Sequence, residues 1–339
     1  MYKFIQRFLF LFPAEFSHHF GLKGLMVLNW FGLASLLAPR EQGEATKAFG
    51  LQFKNAVGLA AGLDKNADYI DALGALGFGF IEVGTVTPKA QPGNDKPRLF
   101  RLTKDHALIN RMGFNNKGVD HMIQRLINRR YQGIVGVNIG KNFSTPLEQA
   151  HEDYLLCLRK LYAFCDYIVV NLSSPNTPGL RALQFGEALN SLLNVLKAEQ
   201  SVLSVKHKRY VPLLLKIAPD LSEKECQDIA QVLLKNNMDG VVATNTTISR
   251  KGLNETLLAD ETGGLSGEPL ATQSESIVKI LRNHLQGAIP IIGVGGITDQ
   301  ASAQAKLKAG ASLLQIYTGF IYKGPKLIGE ALKAKQETY

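Results

Sequence analysis

Between Asn171 and Gly179 the chain reads Asn-Leu-Ser-Ser-Pro-Asn-Thr-Pro-Gly. Its two asparagines offer donors and acceptors together, and hydroxyl side chains stand beside them. Such a set suits a flat, neutral heterocycle carrying amide groups, with a hydroxyl close enough to move a proton. Pro175 and Pro178 stiffen the segment, and Pro178-Gly179 marks a turn. The preceding run, Asp166-Tyr167-Ile168-Val169-Val170, is apolar and β-branched and reads as a buried strand. The polar patch therefore begins at a strand's C-terminal end. A surface loop has the same composition, so the patch needs a scaffold that aims it.

Eight apolar runs supply one: 57–61, 80–83, 134–137, 167–170, 213–217, 240–243, 289–294 and 313–316. Amphipathic stretches at 187–197, 223–235 and 300–309 lie between some of them. This alternation predicts a (β/α)8 barrel of the α/β class, whose active site collects at the C-terminal ends of the strands. Those ends read Gly62-Leu63-Asp64-Lys65, Gly84-Thr85, Asn138, Asn171, Thr244-Asn245-Thr246, Gly295-Gly296 and Tyr317-Thr318-Gly319, with Lys216 inside its own run. The last two ends suit a phosphate held by backbone N–H groups. A doubly wound sheet would want a GxGxxG turn after its first strand, which is missing here. Residues 86–133 are long for a connection and should carry function or small elements of their own.

The first forty residues differ. Phe4, Ile5, Phe8, Leu9 and Phe12 recur at helical spacing, Pro13 interrupts, and a second apolar stretch runs from Leu22 to Leu37. Neither reaches the roughly eighteen apolar residues of a spanning helix. Two helices lying on a membrane and a helical cap packed on the barrel would both use this stripe. Residues 39–48 are polar and read as a linker. Two units follow, a helical segment at 1–40 and a barrel at 41–339.

The net charge of +9 comes from dispersed residues, 38 Lys+Arg against 29 Asp+Glu, without the basic block of a nucleic-acid binder. Cys157, Cys165 and Cys226 have no metal or CxxC spacing and read as free thiols. The seven histidines are scattered, and no metal site is expected.

Taken together, Gly58 to Lys65, Gly84 to Pro88, Pro92 to Arg101, Asn110 to Asn116, Asn171 to Gly179 and Gly293 to Ile297 resemble dihydroorotate dehydrogenase over essentially the whole chain. The N-terminal helices resemble those of the class 2, quinone-dependent form. The resemblance implies oxidation of dihydroorotate to orotate in pyrimidine synthesis, with FMN taking the electrons and a membrane quinone as final acceptor. Ser174 matches the class 2 base, where class 1 carries Cys, and Thr177 and Phe114 match residues that pass the proton on. Lys65, Asn110, Arg111, Met112, Gly113, Phe114, Asn171, Asn176, Asn245 and Thr246 match the substrate site. Ala61, Gly62, Leu63, Asp64, Lys65, Thr85, Asn138, Asn171, Lys216, Thr244, Gly267, Gly296, Tyr317 and Thr318 match the FMN site. His18 and Arg101 are the expected quinone contacts. The resemblance further implies a peripheral protein on the cytoplasmic face of the membrane, and a monomer is expected.

The residue types suit this chemistry. Asparagines can pair with the ring edges of a cyclic amide, and Lys65 can meet a carboxylate as a point charge. Lys216 within an apolar strand has no ready structural explanation. Its charge would serve where a reduced flavin gains negative charge. Hydroxyacid oxidases, the rival flavin barrels, need a late catalytic His, and His284 precedes the seventh run. A degenerate scaffold would have no use for Lys65, Ser174 and Lys216.

Overall fold

The computed structural model describes residues 2–254 and 257–337. Helices α1 (Tyr2–Phe10) and α2 (Ala14–Trp30) form a hairpin, with Pro13 capping the start of α2. A short antiparallel pair follows, β1 (Thr46–Ala48) and β2 (Leu51–Phe53). Then come β3 (Val57–Leu59), α3 (Ile70–Gly74), β4 (Phe80–Val86), β5 (Leu99–Leu102), β6 (Ala107–Asn110), α4 (Val119–Ile127), β7 (Ile134–Ile139), α5 (Ala150–Leu161) and β8 (Tyr167–Asn171). The second half runs α6 (Gly186–His207), β9 (Leu213–Ile217), α7 (Glu223–Lys235), β10 (Gly240–Ala243), β11 (Gly264–Gly267), α8 (Ala271–Leu285), β12 (Ile291–Val294), α9 (Gln300–Lys308), β13 (Leu313–Ile316), α10 (Thr318–Lys323) and α11 (Lys326–Gln336).

Eight strands, β3, β4, β7, β8, β9, β10, β12 and β13, close a barrel in chain order, every neighbouring pair parallel. All eight apolar runs of the sequence are in it. The outer helices bury one stripe each. In α7 the buried residues are Cys226, Ile229, Ala230 and Leu233, spaced as one helical face. Ser222 and Glu225 close a capping box at its start, which supplies partners to otherwise orphaned N–H groups.

The segment between β4 and β7 carries β5, β6 and α4. Strand β6 pairs antiparallel with β5 and with the distant β11. This three-stranded sheet contributes Leu99, Leu108, Asn110, Ser266 and Gly267 to the wall of the cavity at the barrel mouth. Residues 39–48 are only partly a linker, because the hairpin from Thr46 to Phe53 is built into the fold. Its Phe53 is fully buried and meets Phe49 and Phe80 edge-on at 5.6 and 5.0 Å between ring centres. Below the mouth, Phe80, Tyr167, Leu214, Val242, Ile292 and Leu313 fill the interior. Gly136 is required here, since a Cβ would lie 2.0 Å from the Tyr167 ring.

Truncating Phe53 should leave a cavity under this layer. Phe53→Ala is expected to cost about 3–5 kcal/mol of stability, read as a lower denaturant midpoint. An unchanged midpoint would mean that the hairpin is not part of the barrel's core.

Candidate active site

A polar ladder descends from the mouth into the barrel. At its foot the side chain of Glu82, fully enclosed, accepts from Asn138 Nδ2 at 2.9 Å, Gln315 Nε2 at 2.6 Å and Tyr167 OH at 3.3 Å. Asn138 Oδ1 in turn accepts from Thr85 Oγ1 at 2.6 Å and Asn171 Nδ2 at 3.1 Å. Asn171 Oδ1 accepts from Ser173 Oγ at 2.9 Å, and Ser173 Oγ accepts from Asn245 Nδ2 at 2.9 Å. The strand-end amides are thus oriented by one another, because each amide offers both donor and acceptor.

Above the ladder opens a cleft with ≈ 1230 Å³ of empty space, its mouth included. Ser174 stands in its wall, 5% exposed, and its Oγ accepts from the Asn176 backbone N–H at 3.2 Å. That bond favours negative charge on the oxygen. Asn176 Nδ2 donates to the Asn110 carbonyl at 3.1 Å, joining the Ser174 loop to β6. Lys65 reaches the same space and donates from Nζ to the Gly62 carbonyl at 3.0 Å. Burial pulls its pKa down to about 8, with the Glu15 charge opposing. Lys216 also faces the cleft. Burial lowers its pKa while Glu82 raises it, and among the described residues its ammonium has no hydrogen-bond or ion-pair partner. Gln315 Oε1, also in the lining, is buried without a partner among the described residues.

At the opposite end lie Gly267, Gly295, Gly296 and Thr318. Gly296 has φ +74°, and a Cβ there would stand 2.1 Å from Ala271 Cα. The backbone is therefore bare on this wall, as a phosphate site needs. Thr318 Oγ1 donates to Ser266 Oγ at 2.8 Å. Tyr317 packs over Gly62 and donates to its carbonyl at 3.4 Å.

The cleft brings together Ala61, Gly62, Lys65, Thr85, Asn110, Met112, Gly113, Phe114, Asn171, Ser174, Asn176, Lys216, Thr244, Asn245, Thr246, Gly267, Gly296, Tyr317, Thr318 and His18. Other expected residues stand back from it. The Asp64 carboxylate turns away to accept from the backbone N–H groups of Asn66, Asp68 and Tyr69. Arg111 pairs with Glu261 at 2.5 Å and covers the Phe100 ring. Asn138 lies one layer below, and Thr177 is buried outside the lining. Glu82, Ser266 and Gln315 are the residues that sequence reading missed. A charged residue within the apolar run 80–83 was the signal for Glu82.

A second cavity, with ≈ 2610 Å³ of empty space including its mouth, lies between the α1–α2 hairpin and the barrel. Its walls are mainly apolar and include Leu63 and Arg101. His18, Leu99, Leu108 and Tyr317 line both cavities. Burial, with the nearby Lys65 and His19, holds His18 well below its ordinary pKa, so its imidazole is neutral. Arg101 is occupied at the end of α1, donating to the Leu9, Phe10 and Phe12 carbonyls and stacking on the Phe10 ring. Phe4, Phe8, Leu11, Phe16, Phe20 and Trp30 are exposed on the hairpin. Among the described residues no helix is long and apolar enough to cross a membrane.

A profile of the family described as dihydroorotate dehydrogenase matches residues 44–336. The chain is 55% identical over 334 residues to the dihydroorotate dehydrogenase (quinone) of Saccharophagus degradans, covering 98% of each. It is 55% identical over 331 residues to that of Cellvibrio japonicus, covering 98% of this chain and 97% of the relative. Its fold is similar to DHODH from Eimeria tenella in complex with ferulenol, with TM-score 0.85 and 39% identity over 96% of this chain and 92% of the other. Profile match, full-length identity and shared barrel agree that the chain belongs to the dihydroorotate dehydrogenase family.

Proposed function

We propose that this chain oxidises dihydroorotate to orotate in pyrimidine biosynthesis, with FMN as its cofactor and a membrane quinone as final acceptor. The observation that carries this reading is the meeting of Ser174, Lys65 and the amides of Asn110, Asn176 and Asn245 in one cleft backed by Lys216. FMN would supply the electron acceptor between substrate and quinone. The residues present suit it. Lys216 and Gln315 Oε1 lack partners among the described residues, as groups awaiting the polar edge of a ring system would. The bare backbone at Gly267 and Gly296, with Thr318, would hold its phosphate. Thr85, Asn171, Thr244 and Tyr317 would contact the ring and its side chain, with Asn138 acting through Asn171.

In this reading Asn110, Asn171, Asn176 and Asn245 pair with the substrate ring, helped by Thr246 and by the backbone around Met112 and Gly113. Lys65 meets the carboxylate. Ser174 Oγ would take a proton from one ring carbon while passing its own hydroxyl proton toward Thr177, and FMN would supply the acceptor for the hydride of the neighbouring carbon. The Asn176 N–H on Ser174 Oγ offsets part of the cost of ionising a serine. Thr177 and an ordered water would relay the proton away from Ser174, and Phe114 would belong to the same exit route. The α1–α2 hairpin forms a membrane-facing unit over residues 1–40, attached to an FMN barrel over 41–339. Its exposed aromatic stripe and Lys3, Arg7 and Lys23 suit a peripheral helix pair on the cytoplasmic face. The apolar cavity beneath it would admit quinone past neutral His18. The chain is read as a monomer.

The test is the visible spectrum of the purified protein, first with anaerobic dihydroorotate and then with a soluble quinone. Flavin absorbance should bleach and return. Persistent colour with dihydroorotate would sink the substrate assignment. Ser174→Ala should keep its FMN and slow bleaching by about 100-fold or more. Normal bleaching kinetics would remove Ser174 as the base.

Deletion of residues 2–40 should leave bleaching by dihydroorotate intact and slow reoxidation by a lipid quinone in vesicles at least about tenfold. Equal quinone turnover by a folded truncated protein would disprove the access role.

The pH dependence of orotate binding follows from Lys65. Below about pH 8 its ammonium is charged, and above that the charge is lost. Orotate affinity should therefore fall as pH rises through about 8, by up to roughly tenfold per unit, in a spectral titration. Constant affinity across that range would show that another group holds the carboxylate.

A further inference from the structure

Arg181 lies outside the cleft lining yet touches two of the loops that build it, those after β8 and β10, and the neighbouring loop after β9. It sits in the single 3-10 turn Leu180–Gln184 that follows the Ser174 loop. Its Nε–H donates to the Ser173 carbonyl at 3.0 Å. Its Nη1–H donates to Asp220 Oδ2 at 2.8 Å, and its Nη2–H to the Thr246 carbonyl at 2.9 Å. One planar group thereby spans the loops after β8, β9 and β10. The Ser173 carbonyl belongs to the peptide unit that enters Ser174, so fixing its plane fixes where the Ser174 side chain starts. The Thr246 carbonyl does the same for the β10 loop, which also carries Asn245.

The third arm is anchored as well. Asp220 accepts from Thr247 Oγ1, from the Ile248 N–H at 3.1 Å and from Gln273 Nε2 at 3.2 Å on α8. The Arg181 and Asp220 side chains are 21% and 15% exposed, so water competes little for the pair. A lysine could keep the charge but not three bonds at fixed angles, since an ammonium on a flexible stem has no fork.

We infer that Arg181 is a positioning residue that holds Ser174 and the Asn245-Thr246 pair in one fixed geometry across the substrate. This rests on the roles proposed above for Ser174, Asn245 and Thr246. Misplacing a reacting group by about 1 Å can cost on the order of 100-fold in rate, so the clamp has kinetic weight without touching substrate.

The experiment compares wild-type holoenzyme with Arg181→Lys and, as a milder variant, Asp220→Asn. Two quantities are read: amide hydrogen exchange in peptides covering 171–180 and 244–249, and the limiting rate of flavin bleaching by dihydroorotate per bound flavin. In Arg181→Lys both loops should exchange faster together, and the limiting rate should fall by about 100-fold while flavin content stays near one per chain. Asp220→Asn should move both quantities in the same direction by less. A residue that only supports folding would lower flavin content and leave the rate per bound flavin unchanged, and that result overturns the inference. Unchanged exchange in either loop overturns it too. If dihydroorotate fails to bleach the wild-type flavin, the proposed reaction falls, and the exchange measurement still decides whether Arg181 couples the two loops.

Discussion

Glu82 sets the terms for the rest of the barrel. A carboxylate with no access to water would be several kcal/mol too costly if its oxygens were left bare. Three donors on three other strands, Asn138 on β7, Tyr167 on β8 and Gln315 on β13, turn toward it instead. Their orientation is then passed upward, since an amide that donates below can accept above. Asn138 does so for Thr85 and Asn171, and Asn171 does so for Ser173. The cleft is therefore lined by side chains whose directions are fixed before any ligand enters, which is the condition for electrostatic preorganisation. Lys216 completes the pattern as a buried amine whose pKa burial lowers and the Glu82 charge raises.

Below Glu82 the interior is apolar, and above it the cleft is walled mostly by loops. The Phe53, Phe80 and Tyr167 rings make a floor that needs glycine on the adjoining strand to fit. The mouth is roofed on one side by the sheet of β5, β6 and β11, which joins segments more than a hundred and fifty residues apart. Against β5 of that sheet stands the α1–α2 hairpin, attached by a small set of polar ties. Tyr2 OH reaches the Ile321 carbonyl at 2.7 Å, and Glu15 pairs with Arg98 at 2.8 Å. Phe4, Phe16 and Trp30 are exposed away from the cavity while Phe8 and Phe20 also line it, and the two cavities share walls at His18 and Tyr317. The hairpin packs on the barrel as a helical cap would, and it still exposes part of its aromatic stripe.

Much of this was legible because burial patterns repeat along the chain. Apolar runs alternating with amphipathic stretches predicted all eight strands, and polar residues just past them predicted the cleft wall. Lys216 stood out as a charge inside an apolar run. Glu82 had the same signature and was passed over, because one acidic residue in a four-residue run has no evident partner until the barrel closes. Asp64 and Arg111, which the family resemblance assigns to the site, lie next to lining residues. Their side chains instead satisfy backbone N–H groups and a carboxylate, roles that depend on where the chain turns next.

The sequence by itself determined the barrel, the Asn and Ser types at its mouth, and the apolar character of the first forty residues, because each follows from local periodicity and residue chemistry. It did not determine which oxygen meets which donor. The bond from Arg181 to the Thr246 carbonyl spans 65 positions, that from Gln315 to Glu82 spans 233, and Tyr2 meets the α10 backbone across 319. Pairings at such separations leave no periodic trace along the chain. They are decided only when closure of the barrel brings the strand ends within hydrogen-bond reach, where a buried polar group without a partner is too costly to persist.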